Sequence, residues 1–166
     1  EAADIGLSLA ATNHRAIIAA GQQIKQQICT ELDISHPFAV DLSFLYGVIF
    51  TGPAEHAATG AQAATAAADL RNVCVFADGE LDRSPTGSGV SGLAAILHQR
   101  GQLQPGQLLR VESITGAVFQ LSVLQSCSYG PHPAVIPRVR GQAFVTGRHQ
   151  FFLDPHDQFP QGFIFR

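Results

Sequence analysis

The sequence predicts an α+β fold in which strands outnumber helices. Three features predict it. A helical stripe occupies the first thirty residues, two apolar runs rich in aromatic and β-branched residues follow, and the chain after Gln107 alternates or runs apolar between Gly and Pro signals. The 166 residues suffice for one domain of ordinary size. With 46% apolar and 14% charged residues, the chain is too apolar for disorder. A net charge of −3 gives no electrostatic reason to expect nucleic acid or an anionic membrane as a partner. The apolar stretches are short and interrupted, which predicts no membrane span.

Residues 1–11 read as an entry loop. Thr12 or Asn13 is placed to cap a helix that runs to about Glu31. Ile17, Ile18, Gly21, Ile24 and Ile28 fall on one stripe of it, with Gln and Lys mostly opposite. Leu42 to Thr51 reads as a strand buried on both faces. The alanine-rich stretch 53–68 has no stripe of large residues to dock it and reads as a mobile surface insertion. Asn72 to Ala77 reads as a second buried strand, with Asp78-Gly79 as a turn. Val90, Leu93, Ala94 and Leu97 then give a short apolar helix, stopped at Gly101. Strands are predicted in LLRVESI, AVFQLSVLQ, AVIPRVRGQAFVTG and HQFFL. The apolar helix is the element these strands are placed to surround. The tail carries Phe159, Phe163 and Phe165 among Pro and Gly, and its aromatics are expected to dock elsewhere.

Cys29, Cys74 and Cys127 are odd in number and lack metal-type spacing, so each reads as a small buried apolar residue. A reducing cytoplasm is the matching compartment. The start EAADIGLSLAA lacks the basic and apolar regions of a signal peptide. The chain holds no methionine, even at position 1, and so reads as a piece of something longer. The seven histidines are dispersed, without an H-x-x-x-H pair, and predict no metal site. His149 reads as a sheet residue and Arg83 as a solvated or ion-paired one.

The segment that can carry chemistry is Asp82-Arg83-Ser84-Pro85-Thr86-Gly87-Ser88-Gly89, between the second strand and the apolar helix. The first amides of a helix lack internal partners, so Gly87, Ser88 and Gly89 can present N–H groups to an anion. Asp82, four residues earlier, can meet a cation. Donors for an anion beside a carboxylate suit a zwitterion, that is, an amino acid. The competing reading is a plain strand-to-helix turn with Asp82 as a structural cap. No P-loop pattern is present.

These residues carry a resemblance. VCVFADGELDRSPTGSGVSGLAAILHQRGQL resembles the signature of the proline racemase family, in which the core reads approximately D-R-S-P-C-G-T-G. DLSFLYGVIFTGP and IPRVRGQAFVTGRHQFFLDPHDQFPQGF resemble the family's flanking strands and tail. Family members are about twice as long, with two similar lobes, and the active site lies between the lobes. The resemblance therefore implies that 1–166 is a single C-terminal lobe of diaminopimelate-epimerase-like type, a barrel-like sheet around a central helix. Its tail, 155–166, would dock on the other lobe. An exposed lobe face would support a homodimer or similar association.

The resemblance also implies roles. Asp82 would bind the substrate amine. Gly87, Ser88 and Gly89 would hold its carboxylate, and Phe76 would pack on the pyrrolidine ring. Thr86 stands at the place of the family's second catalytic cysteine. Racemases need a thiol on each face of Cα, and an aliphatic hydroxyl does not ionise usefully at neutral pH. Cys paired with Thr resembles the trans-3-hydroxy-L-proline dehydratases. In that substrate the α-hydrogen and the hydroxyl share one ring face, so a single acid/base residue can remove water and yield Δ1-pyrroline-2-carboxylate. No metal or organic cofactor is implied. The thiol would come from the first lobe, since Cys29, Cys74 and Cys127 do not sit in its cysteine-glycine-histidine pattern, and the piece alone would be inactive. Two alternatives stay open: a proline racemase or hydroxyproline 2-epimerase, and a non-catalytic amino-acid-binding or interaction module.

Overall fold

The computed structural model describes residues 1–55 and 67–163. Helix α1 spans His14–Glu31 and helix α2 spans Gly87–Gln99. The strands are β1 Gly47–Gly52, β2 Leu70–Phe76, β3 Glu80–Leu81, β4 Leu109–Glu112, β5 Val118–Tyr129 and β6 His132–Arg140. They form one six-stranded sheet in the order β1-β2-β4-β5-β6, with β3 attached to β2. All pairings are antiparallel except β2 with β4.

Each face of the sheet buries one helix. Ile17 of α1 packs with Phe50, Val73 and Val75. Val90 and Ala94 of α2 pack with Val111, Leu121 and Val123. Strand alternation divides β2 between these cores. Val73 and Val75 face α1, which leaves Cys74 and Phe76 on the side of α2. Gly21 explains how closely α1 sits: a Cβ there would lie 2.7 Å from Val75 Cβ. The stripe read from the sequence is thus the docking face, with Ile17 and Gly21 buried.

A buried ion cluster ties the parallel junction to the start of the chain. Arg71 is fully buried. Its Nε donates to Glu112 Oε1 at 2.8 Å, and its Nη1 donates to Glu55 Oε2 at 2.7 Å and to the Leu9 carbonyl at 3.0 Å.

Several expectations are corrected. The strand expected from Leu42 begins at Gly47, after a 3-10 turn over Val40–Leu42. Being an edge strand paired with β2 alone, it is mostly half-buried rather than buried on both faces. Strand β6 starts earlier than expected and stops at Arg140. HQFFL forms no strand, because nothing among the described residues pairs with the free edge of β6. Phe151, Phe152 and Leu153 are accordingly more than 80% exposed, and His149 is not a sheet residue. Among the described residues β1 and β6 each pair with one strand only, so the sheet does not close into a barrel. Cys29 is exposed and Cys127 half-buried, and neither belongs to the two core clusters; Cys127 instead lines a recess with Ala95 and Ile96 of α2. Most of the insertion 53–68 lies outside the described residues. Among the described residues, no helix is long and apolar enough to cross a membrane.

Candidate active site

The site is built where β1, β2 and the start of α2 converge. The hairpin after β2 turns through Ala77 and Gly79, both at positive φ. Lys25 Nζ and Gln22 Nε2 of α1 fix it by donating to the carbonyls of Ala77 and Asp78. The returning chain brings the Asp82 amide to the Cys74 carbonyl at 3.0 Å. Asp82 is thereby set beside β2.

Asp82 then organises the turn. Its Oδ1 accepts from the Ser84 amide at 2.8 Å, and its Oδ2 accepts from Thr86 Oγ1 at 2.7 Å. Thr86 occupies the N-cap position of α2 at φ 66°, ψ 108°. A β-branched residue rarely takes such a positive φ, which costs about 1–3 kcal/mol and persists only where its surroundings impose it. The Asp82 contact is one such restraint. It has a second effect. A threonine N-cap ordinarily turns its hydroxyl onto the amide two or three residues on. Here that hydroxyl is committed to Asp82, and no side chain caps the helix. The amides of Gly87, Ser88 and Gly89 find no acceptor among the described residues. They carry the positive end of the α2 dipole with no acidic residue in the first turn.

A cleft of about 270 Å³ opens in front of them. It is lined by Tyr46, Gly47, Ile49, Cys74, Phe76, Asp82, Thr86, Ser88 and Gly89. Five of the six residues singled out from the sequence therefore meet at one cavity. Gly87 is the exception: it is exposed at the helix tip, outside the lining. Tyr46 and Phe76 form an aromatic wall, their ring centroids 5.6 Å apart. Small residues make the space. A Cβ on Gly89 would run into Ile49 Cδ1, and one on Gly47 would lie 2.6 Å from the Val75 carbonyl oxygen.

Sequence reasoning missed Tyr46, Gly47, Ile49 and Cys74. The period-2 alternation of β2 holds the signal for Cys74: Val73 and Val75 are core, so Cys74 shares the face of Phe76. It was expected to point into the core; it is buried, yet it forms the cleft wall. Burial pushes the Cys74 thiol above its ordinary value; contact with the Thr86 hydroxyl opposes this and the charge of Asp82 adds to it. The thiol is protonated at neutral pH and is no ready base. Arg83 is exposed, and its carbonyl accepts from Ser113 Oγ and Thr115 Oγ1, so its backbone anchors the turn. Among the described residues, no His, Cys, Asp or Glu cluster could hold a metal ion.

The cleft sets a carboxylate beside uncapped amides. A carboxylate has about four lone-pair sites. Asp82 uses two internally, leaving two for an ammonium donor. The uncapped amides offer donors to a carboxylate.

Comparisons with known proteins place the chain in a family. A family model described as proline racemase matches residues 1–164. A trans-3-hydroxy-L-proline dehydratase of Colwellia psychrerythraea is 40% identical over 166 residues, 100% of this chain and 44% of that protein. A protein of Burkholderia multivorans named 3-hydroxyproline 2-epimerase is 38% identical over 151 residues, covering 90% of this chain and 42% of its own. The crystal structure of a hydroxyproline epimerase from Agrobacterium vitis with bound trans-4-hydroxy-L-proline superimposes with a TM-score of 0.83 at 29% identity, over 99% of this chain and 44% of that one. The chain thus spans less than half the length of these relatives.

Proposed function

The chain belongs to the proline racemase family, and from that premise we propose that it carries the substrate-clamping lobe of a hydro-lyase that converts trans-3-hydroxy-L-proline to Δ1-pyrroline-2-carboxylate. The observation that carries this reading is the Thr86 hydroxyl turned onto Asp82, which leaves the helix amides uncapped. In the proposed complex those amides hold the substrate carboxylate, Asp82 takes the ring ammonium, and Phe76 with Tyr46 covers the pyrrolidine carbons. Removing the α-proton drives negative charge onto the carboxylate, where the amides stabilise it. The α-hydrogen and the 3-hydroxyl lie on one ring face. One acid/base group takes the proton and hands it to the departing hydroxyl, so water leaves and an enamine remains. The enamine tautomerises to the pyrroline. The sequence of steps needs no metal or organic cofactor.

Neither Thr86 nor the protonated Cys74 suits the role of base. We assign it to a cysteine outside these 166 residues, and with it the reading of the chain as one diaminopimelate-epimerase-like lobe. The exposed segment 141–163 is then the part that meets the remainder of the enzyme or a second copy. The name of the Burkholderia multivorans relative favours a second reading, a 2-epimerase. That reaction calls for a second base where Thr86 stands.

The full-length protein, incubated with trans-3-hydroxy-L-proline in D2O, is expected to release water and the pyrroline product. Recovery of the Cα-epimer carrying deuterium, without loss of water, would establish the second reading instead. The purified 166-residue chain is expected to be inactive alone; turnover by it would refute the assignment of the base to another stretch.

A further inference from the structure

Away from the cleft, the outer face of the sheet concentrates positive charge. On β5, Leu121 and Val123 are buried against α2, so Gln120 and Ser122 face outward. The register sets Gln120 opposite Arg140 and Ser122 opposite Arg138. It also sets Gln120 opposite Arg110 of β4. Three of the chain's ten basic side chains thus share one patch of a protein whose net charge is −3. Among the described residues, no acidic side chain pairs with Arg138 or Arg140. Arg110 Nε is buried without a hydrogen-bond partner. Asp69 Oδ2 accepts from the Arg110 main-chain amide at 2.7 Å.

Two of the three arginines, Arg138 and Arg140, border a cavity. Arg138, Arg140, Gln120, Ser122, Leu108 and Gly106 line a recess of about 260 Å³. Unpaired guanidinium groups beside a hydroxyl and a carboxamide make a multidentate donor set. A single carboxylate would neutralise one of these charges. A phosphate dianion neutralises two and offers enough oxygens to engage the forked donors together. We propose that this recess is an anion site for a phosphate group, free or carried as an ester, separate from the amino-acid cleft and independent of the function proposed for it.

The test is a heteronuclear NMR titration of the 166-residue chain with inorganic phosphate, and in a second arm with free phosphoserine, at ionic strength held constant with sodium chloride. Saturable shifts of the Arg138 and Arg140 Nε–H signals and of the Gln120 and Ser122 amides are expected. Shifts at the Gly87–Gly89 amides report the helix terminus separately. A saturable response in either arm supports the site, and the tighter arm identifies the carrier. Arg138→Gln with Arg140→Gln should weaken binding about tenfold or more while leaving the far-ultraviolet spectrum unchanged. Shifts that rise linearly, that chloride reproduces, or that the double variant retains would overturn the proposal.

Discussion

Asp82→Ala removes the group on which the cleft is built, and its effect can be worked from the geometry. Two hydrogen bonds vanish, from the Ser84 amide at 2.8 Å and from Thr86 Oγ1 at 2.7 Å. Bonds to a charged acceptor contribute about 1.5–3 kcal/mol each when buried. Both donors here are half-buried, and water replaces part of each bond, so the lower end applies: about 2–3 kcal/mol together. Thr86 also loses a restraint on its positive φ, and its hydroxyl becomes available to cap α2. That recovers about 1 kcal/mol. The net loss expected is about 1–2 kcal/mol. In urea at pH 7, with a slope of about 2 kcal/mol per molar, the unfolding midpoint should fall by about 0.5–1 M. Asp82→Asn keeps one acceptor oxygen and should fall by about half as much. A midpoint unchanged in Asp82→Ala would refute the claim that this carboxylate holds the turn.

Other outcomes follow from the same geometry. Gly47→Ala sets a Cβ 2.6 Å from a backbone oxygen that cannot step aside, so thermal denaturation should show a loss of about 1–3 kcal/mol. Arg71→Met takes the cation away from the buried Glu112 carboxylate, which keeps the Glu55 main-chain amide as a donor, and should cost about 3–5 kcal/mol by calorimetric melting. Burial raises the Cys74 pKa in the folded chain above its ordinary 9.0, so the folded state keeps a proton that the unfolded state releases. The associated stability is full below pH 9.0 and declines as the pH climbs through the raised folded value. Cys74→Val should flatten that alkaline decline, and iodoacetamide mapping should alkylate exposed Cys29 well before Cys74. Thr86→Cys in the full-length protein should introduce deuterium at Cα with inversion, detectable by proton NMR of recovered substrate.

Local periodicity made most of the fold legible. The stripe through Ile17, Gly21 and Ile24 is the face that docks, and Val90 with Ala94 is the stripe that enters the second core. Gly101 stops α2 at φ 71°, as its position after the helix implied. What failed was non-local. HQFFL has strand composition, but a strand needs a neighbour, and nothing in its own residues shows that the edge of β6 stays open. Leu42 to Tyr46 looked buried because its residues are apolar, yet Leu42, Phe44 and Tyr46 are each more than half exposed.

The meeting of Asp82 with the start of α2 at one turn was legible because helix-end chemistry is local. The reach of the Thr86 hydroxyl to Asp82 was not, since either partner alone suggests a cap. The wall from β1 depended on strand register, which pairs Gly47 with Phe76 and Ile49 with Cys74. No spacing within the motif reports that pairing.

The three uncapped amides are the proposed carboxylate site, and one titration addresses them. Trans-3-hydroxy-L-proline added to the isotope-labelled 166-residue chain should move the Gly87, Ser88 and Gly89 amide protons downfield and saturably, while prolinamide, which lacks the carboxylate, leaves them in place. Equal shifts with both compounds, or none at tens of millimolar amino acid, would contradict it.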